Sequence, residues 1–330
     1  MRLSIITEWA NTRLNGIPRA WLLLDALVCQ WREIGDRVYP ETLPTEAAHF
    51  LERLDRRVEI LIVSGDSSIC DLEGDIRARL PECFELTVLV APGLEYYPLK
   101  NAAAGAATGE VLVFVDSDVV PDPGWMAHLL GSFGGPEIEV ICGQTYVAPT
   151  DLYARAFALG WTYLPRDDHG KIFRPKKFYA NTIAFRTEIF RKVGGFPALG
   201  KRTRGAASLL RQELTRLGCS VWENQRAAVD HPPPSSFQHL AIRAIAHGRD
   251  HYMKHDEGRH LSGLTRSVGI ATARLGRGCY RTLRHGSRVG LRLWEIPAAL
   301  TITSTYYAFF ALGGVLTHLN PEMMGRRFRV

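Results

Sequence analysis

None of the six cysteines (Cys29, Cys70, Cys83, Cys142, Cys219 and Cys279) forms a Cys-x-x-Cys pair. That spacing is what structural zinc sites and dithiol redox sites use, so scattered single thiols read as packing residues. No internal repeat and no low-complexity tract interrupts the chain. A Gly-rich phosphate loop is missing near the first apolar run, which argues against nucleotidyltransferase chemistry. There is no secretory leader pattern either: the first apolar stretch is only residues 3–6 and is followed by Glu8 and Asn11. The main domain is therefore expected on the cytoplasmic side.

The chain has 330 residues, 46% of them hydrophobic, which is room for one large α/β domain and an appendage. Charge separates the two. Residues 236–330 carry 14 Lys and Arg against 5 Asp and Glu, a net +9, and the overall +6 then leaves −3 for residues 1–235. Arg243, Arg249, Arg259, Arg266, Arg274, Arg277, Arg281, Arg284, Arg288 and Arg292 recur through a proline-free stretch with few β-branched runs. That stretch is expected to be helical, its positive charge pointing to an anionic membrane surface rather than to nucleic acid; a plain solvated face is the alternative. Residues 296–317 then contain no charged side chain and approach the ~20 residues that cross a bilayer. Thr301, Thr303, Ser304, Thr305 and Gly313-Gly314 dilute that run. A span, an interfacial helix and a buried soluble helix all remain open. His231-Pro232-Pro233-Pro234-Ser235-Ser236 can continue neither helix nor sheet and marks the junction. The expected division is residues 1–235 as the catalytic domain, 236–293 as a basic helical segment, and 294–330 as a hydrophobic membrane-associating helix with a basic tail. Residues 1–235 are expected to stay soluble when the two C-terminal segments are removed.

Gly109-Glu110-Val111-Leu112-Val113-Phe114-Val115-Asp116-Ser117-Asp118 is an apolar run closed by two carboxylates. Gly109 and Pro121 bracket it too tightly for a helix, so it predicts a buried strand. Alternating side chains then put Asp116 and Asp118 on one face just past its carboxyl end, where open α/β sheets hold ligands. Two hard-oxygen carboxylates suit Mg²⁺ or Mn²⁺, which fill their other positions with water and phosphate oxygens. A metal-bridged pyrophosphate is the expectation, and a solvated Asp-Ser-Asp turn the alternative.

Upstream, Leu99-Lys100-Asn101-Ala102-Ala103-Ala104-Gly105-Ala106-Ala107-Thr108-Gly109-Glu110 is helix-compatible, with Gly109 as its stop. With this helix, the Gly-Glu pair and the Asp-x-Asp strand, the chain resembles the family 2 glycosyltransferases. The likeness extends to Leu3-Ser4-Ile5-Ile6-Thr7 as first strand, residues 22–30 as first helix and Val58-Glu59-Ile60-Leu61-Ile62-Val63 as second strand. Asn181-Thr182-Ile183-Ala184-Phe185-Arg186 and Val193-Gly194-Gly195-Phe196 resemble the acceptor-side segment. The resemblance implies a glycosyltransferase A-type α/β fold: a Rossmann-like, mostly parallel central sheet with flanking helices, here followed by a C-terminal helical segment. It implies transfer of a sugar, as in a hexosyltransferase, from a nucleotide-diphosphate sugar to a glycan, glycolipid or lipid-linked acceptor of polysaccharide or cell-envelope biosynthesis. The setting is the cytoplasmic face of the inner (plasma) membrane, with Mn²⁺ or Mg²⁺. Carried over by position, Thr7, Glu8, Asp66, Lys100 and Asn101 would line the nucleotide. Asp116 would meet ribose or metal, Asp118 the metal, and His231 the metal or diphosphate.

One departure stands out. Ahead of the Leu214-Thr215-Arg216-Leu217-Gly218 pattern the family usually has a Glu-Asp pair, a Leu and an Arg-Leu; here those places hold Ala206-Ala207, Leu210 and Glu213-Leu214. An inverting transfer needs a carboxylate to take the acceptor proton. Replacement candidates are Glu213, Asp167 and Asp168, with Lys201, Arg202 and Arg204 nearby in sequence to hold a phosphate-bearing acceptor. A non-catalytic nucleotide-sugar-binding or scaffold protein that lost its base is the competing class.

Overall fold

The computed structural model describes residues 1–166, 170–200, 205–255 and 261–327. In chain order these form β1 (Leu3–Glu8), α1 (Thr12–Asn15), α2 (Ile17–Gly35), α3 (Thr45–Glu52), β2 (Val58–Ser64), α4 (Glu73–Arg79), β3 (Phe84–Val90), α5 (Tyr97–Ala106) and β4 (Val111–Val115). Next come β5 (Val120–Pro121), α6 (Trp125–Gly131), β6 (Val140–Tyr146), α7 (Leu152–Gly160), β7 (Ile172–Phe173), β8 (Thr182–Arg186), α8 (Thr187–Lys192), α9 (Ala206–Arg216) and β9 (Val221–Asp230). The remaining helices are α10 (Phe237–His255), α11 (Leu261–His285), α12 (Ile296–Leu319) and α13 (Pro321–Arg327). Two compact units divide the chain: residues 1–145, 166–198 and 206–231 make the first, and 146–165, 199–205 and 232–330 the second.

The first unit is built on a mixed sheet ordered β3-β2-β1-β4-β8-β6-β9-β5, with β7 beside β9. β1 pairs parallel with both β2 and β4, and β2 with β3. β8 runs antiparallel to β4 and β6, and β9 antiparallel to β5 and β7. Leu3, Ile5, Val58, Ile60, Val111 and Val113 bury one face against α2 and α6 residues such as Leu23, Leu27, Trp125 and Leu129. Ile6, Leu61, Leu112 and Phe114 bury the other among Leu99, Ala103, Phe190, Leu210 and Leu214. A strand covered on both faces has no solvent side, which is why β4 reads as a continuous apolar run and why β1 and β2 are apolar apart from a few buried polar groups such as Ser4 and Glu59.

The Ala-rich helix ends earlier than its sequence suggests. α5 stops at Ala106, and Ala107 is already extended at φ −70°, ψ 140°. Gly109 serves a close approach instead: its N–H donates to Ser4 Oγ at 2.8 Å, and a Cβ there would lie 2.6 Å from the Ser4 nitrogen. Ser4 Oγ in turn donates to Glu59 at 2.5 Å, so a buried carboxylate ties β1, β2 and the start of β4 together.

The second unit is helical. α12 buries Ala299, Thr303, Tyr306, Tyr307, Phe310, Gly313, Gly314 and Thr317, a single face at three- and four-residue intervals. The glycines that dilute this run in sequence are what lets α10 and α12 touch. A Cβ on Gly313 would fall 2.1 Å from the Ile245 carbonyl oxygen, and one on Gly248 would collide with the Phe310 carbonyl oxygen. α7 joins the same unit through the Tyr307 hydroxyl, which donates to the Gly160 carbonyl at 2.8 Å, and an Arg155–Glu295 ion pair at 3.3 Å. Leu293–Leu319 is long and apolar enough to cross a membrane by length and composition.

Candidate functional site

The C-terminal ends of β1 and β4, the turn after β4 and the end of β9 converge in the first unit. The Asp116 N–H donates to the Asn181 carbonyl at 3.0 Å, and the Val119 N–H closes a turn on the Asp116 carbonyl at 3.3 Å. The chain then enters β5, where Val120 lies opposite Asp230 in an antiparallel pair with β9. That register brings two residues 113 positions apart in sequence, Asp118 and His231, face to face. His231 Nε2 lies 3.7 Å from Asp118 Oδ2, and both side chains are almost wholly buried.

Each carboxylate has its own cradle. Asp116 accepts from Lys100 Nζ at 2.5 Å on one oxygen and from the Tyr96 hydroxyl on the other, while Lys100 also donates to the Ala180 carbonyl at 2.9 Å. Asp118 accepts from Asn11 Nδ2 at 3.3 Å on Oδ1 and from Asn15 Nδ2 at 2.6 Å on Oδ2. Arg19, on the first turn of α2, spans the two converging segments. Its Nε donates to the Asp118 carbonyl at 2.8 Å, and Nη2 to the Asp230 carbonyl and carboxylate at 2.9 and 3.0 Å. One guanidinium thus fixes the backbone of both segments, using the planar fork that lysine lacks.

Three acids crowd this corner. Glu8, fully buried, accepts from the Ala10 N–H and from Asn11 Nδ2, each at 2.8 Å. Burial, then the neighbouring Asp116 charge, push the Glu8 carboxyl well above its ordinary range, against the pull of Lys100. Burial followed by Asp116 also raises the Tyr96 phenol. Tyr96 has φ +38°, a conformation that a non-glycine residue holds only at a cost of about 1–3 kcal/mol. Thr7 Oγ1, Asn15 Oδ1 and Ser117 Oγ are buried here without a hydrogen-bond partner among the described residues.

Glu8, Lys100, Asp116, Asp118 and His231 therefore come together as a group. Asp66 sits at the rim: it caps the turn after β2 through the Ser68 N–H at 3.0 Å and pairs with Arg13 at 3.2 Å. The Ser68 hydrogen bonds hold its carboxyl below the usual range. Asn101 is committed elsewhere, donating to the Phe196 carbonyl and accepting from the Phe196 N–H, both at 2.8 Å. Glu213 is half exposed on α9 and paired with Arg216 at 2.9 Å, while Ala206, Leu210 and Leu214 take the buried face of that helix. Asp167, Asp168, Lys201, Arg202 and Arg204 lie outside the described residues. Sequence reasoning missed Tyr96, Asn11, Asn15, Arg19 and Asp230. Only Asp230 carried a signal, its place beside His231.

Residues 45–194 match the family model described as glycosyl transferase family 2. The pre-mycofactocin glycosyltransferase of Mycobacterium tuberculosis, in two strains, is 29% identical over 146 residues, 41% of this chain and 30% of the relative. The chain thus spans about 30% of the length of the curated relatives it matches. Among solved structures, the mannosyltransferase PcManGT of Pyrobaculum calidifontis, in complex with GDP-Man and Mn²⁺, superposes with a TM-score of 0.53 at 16% identity, over 97% of this chain and 88% of that one. Residues 45–194, which include β4 and its Asp-x-Asp turn, are thus similar to the family 2 glycosyltransferases, and the chain has a glycosyltransferase A-type fold.

Proposed function

We propose that the chain transfers a sugar from a nucleotide-diphosphate sugar to a glycan, glycolipid or lipid-linked acceptor at the cytoplasmic face of the inner (plasma) membrane, with Mn²⁺ or Mg²⁺. The observation that carries this reading is the 3.7 Å approach of His231 to Asp118 at the carboxyl end of the parallel strands, beside Asp116. The donor set suits a hard divalent ion. Carboxylate oxygens and one imidazole are acceptable to Mn²⁺ and, with phosphate oxygens in the remaining positions, to Mg²⁺. Among the described residues no three of His, Cys, Asp and Glu form a complete cage. Two protein donors and a diphosphate are the coordination such an ion ordinarily takes. The orphaned hydroxyls of Thr7 and Ser117 and the carbonyl of Asn15 supply further polar partners around the same corner.

In this reading Asp118 and His231 would hold the ion, and its charge would supply stabilisation of the departing diphosphate. Asp116, fixed by Lys100 and Tyr96, orients the ribose or shares the ion. Thr7, Glu8 and Asp66 border the nucleotide. Lys100 positions Asp116, and Asn101 fixes the Gly195-Phe196 backbone beside it. Asp118→Asn keeps the shape and removes the charge. Binding stabilises a protein by RT ln(1 + [L]/Kd), roughly 2.7 kcal/mol at a hundredfold excess over Kd. The wild type should therefore melt higher with Mn²⁺ plus nucleotide sugar, and Asp118→Asn should lose that shift while melting normally alone. A mutant that shifts like wild type removes Asp118 from the metal site.

A second reading has its own observation. The first turn of α9 carries Ala206 and Ala207 and no acid. A protein that binds the donor but lacks a base would bind nucleotide sugar without releasing nucleoside diphosphate. If the chain is active, Glu213→Gln, Asp167→Asn or Asp168→Asn should lower kcat by about 10² to 10⁴ with little change in donor affinity, since base catalysis acts in the transition state. If it is a scaffold, placing Glu-Asp at 206–207 should confer turnover where wild type shows none.

A further inference from the structure

α11 is amphipathic in an unusual sense. Its buried positions, Gly263, Ser267, Ala271, Gly278 and Thr282, are all small. The reason is close packing within the second unit. A Cβ on Gly278 would lie 2.9 Å from Thr303 Cγ2, and one on Gly314 of α12 would lie 2.2 Å from Ser267 Oγ. With the inner face reserved for small groups, four large apolar side chains of this helix go outward, while Leu264, Ile270 and Leu275 are half-buried. Leu261, Tyr280 and Leu283 are 70%, 61% and 64% exposed, and Val268 is exposed as well. Read at 3.6 residues per turn, Leu261, Thr265, Val268, Thr272, Gly276, Tyr280 and Leu283 fall in one outward band with no charged residue in it. Arg266, Arg277 and Arg284, separated by 11 and 7 residues and so by nearly whole turns, form a basic stripe along one edge of that band. The helix has five arginines and no Asp or Glu.

An uncharged outward band edged by arginine is the opposite of a solvated helix face, which puts its charges at the centre. A protein partner that covered it would need acids placed opposite three arginines and a matching apolar groove. A bilayer surface supplies both conditions at once, acyl chains under the band and anionic headgroups beside the stripe. We propose that α11 lies in the plane of an anionic membrane surface, its Leu261-Val268-Tyr280-Leu283 band in the headgroup–acyl boundary and Arg266, Arg277 and Arg284 on headgroup phosphates. This deepens the membrane-facing part of the function proposed above and rests on it. It assigns the contact to α11 rather than to α12, whose glycine-lined face is packed against α10.

The test is sedimentation of the full-length protein with phosphatidylglycerol and with phosphatidylcholine vesicles. Wild type should pellet with the first and stay in solution with the second. Tyr280→Glu combined with Leu283→Glu, both exposed and therefore compatible with the fold, should abolish pelleting at an unchanged melting temperature. Arg266→Gln with Arg277→Gln and Arg284→Gln should weaken it at least tenfold, whereas Leu312→Glu on the exposed side of α12 should leave it unchanged. Wild type that ignores both vesicles overturns the membrane reading itself. Wild type that binds through α12, losing attachment with Leu312→Glu and keeping it with the α11 variant, overturns only the assignment to α11. A vesicle-indifferent dimer in solution that Tyr280→Glu with Leu283→Glu dissociates would give this band to a second copy of the chain and overturn the proposal.

Discussion

Arg19 shows how one side chain can set the geometry of groups it never replaces. Its three hydrogen bonds fix the carbonyls of Asp118 and Asp230 and the Asp230 carboxylate. If Asp118 and His231 share an ion, their separation is a property of this clamp. Arg19→Lys keeps the charge but lacks the fork, so it should weaken Mn²⁺-dependent donor binding about tenfold and leave metal-independent nucleotide binding intact. Titration calorimetry with and without Mn²⁺ distinguishes this from a merely structural role, which would weaken both equally. The two carboxylates could be read as a candidate pair because a strand end is a local signal, whereas His231 entered only through the resemblance to the family's last core strand. Arg19, Asn11, Asn15 and Tyr96 were not legible, because a residue near α2 or α5 meets Asp118 or Asp116 only after β1 and β4 have paired. Asn101 illustrates the converse: its position matches the family's pattern, while its amide is bonded on both sides to the backbone of Phe196.

Glycines at equivalent-looking points of α5 and the segment after it do opposite things. Gly105 has nothing within 4 Å of where its Cβ would be, whereas a Cβ on Gly109 would meet Ser4 Oγ at 2.5 Å and the Leu3 carbonyl carbon at 2.9 Å. Gly105→Ala should therefore stabilise by about 0.5–1 kcal/mol through helix propensity. Gly109→Ala should destabilise by about 1–3 kcal/mol, the usual cost of forcing extra volume into a packed interior. Paired denaturant titrations check both, and equal effects would mean the β1–β4 contact is looser than these distances require. Sequence alone ranked these residues wrongly, making Gly109 the helix stop, because close approach of two backbones leaves no periodic trace. The strands β1, β2 and β4 were legible, since burial on both faces makes them mostly apolar, without a break in β4 and with only a few polar residues in β1 and β2. β5 was not: two residues carry no pattern, although their pairing with β9 is what brings His231 to Asp118.

The three prolines after His231 suggest a clean division, and the first compact unit does finish at His231, but the second unit also claims residues 146–165. That segment contains α7, whose Ala154, Phe157, Ala158 and Leu159 are buried together with Trp161 and Tyr163. Within the second unit the Phe157 ring packs on Tyr306 at 5.7 Å, the Trp161 ring on the same tyrosine at 6.3 Å, and Gly160 lies against Thr303. A chain ended at Ser235 keeps α7 and loses every one of those partners. Aromatic side chains bury roughly 150–250 Å² each. Uncovering Phe157 and Trp161 would then create an apolar patch of roughly 300–500 Å², in the range of the largest that soluble monomers carry. The truncated chain is accordingly expected to aggregate even though it has lost the basic helices and the longest apolar run. Adding Phe157→Ser and Trp161→Ser to the same truncation should restore a monomer if the exposed face of α7 is the cause. Light scattering on the two purified truncations decides the matter: a monodisperse Ser235-ended chain without the serine changes would show that α7 does not depend on α11 and α12, and that the boundary marked by the prolines is the functional one.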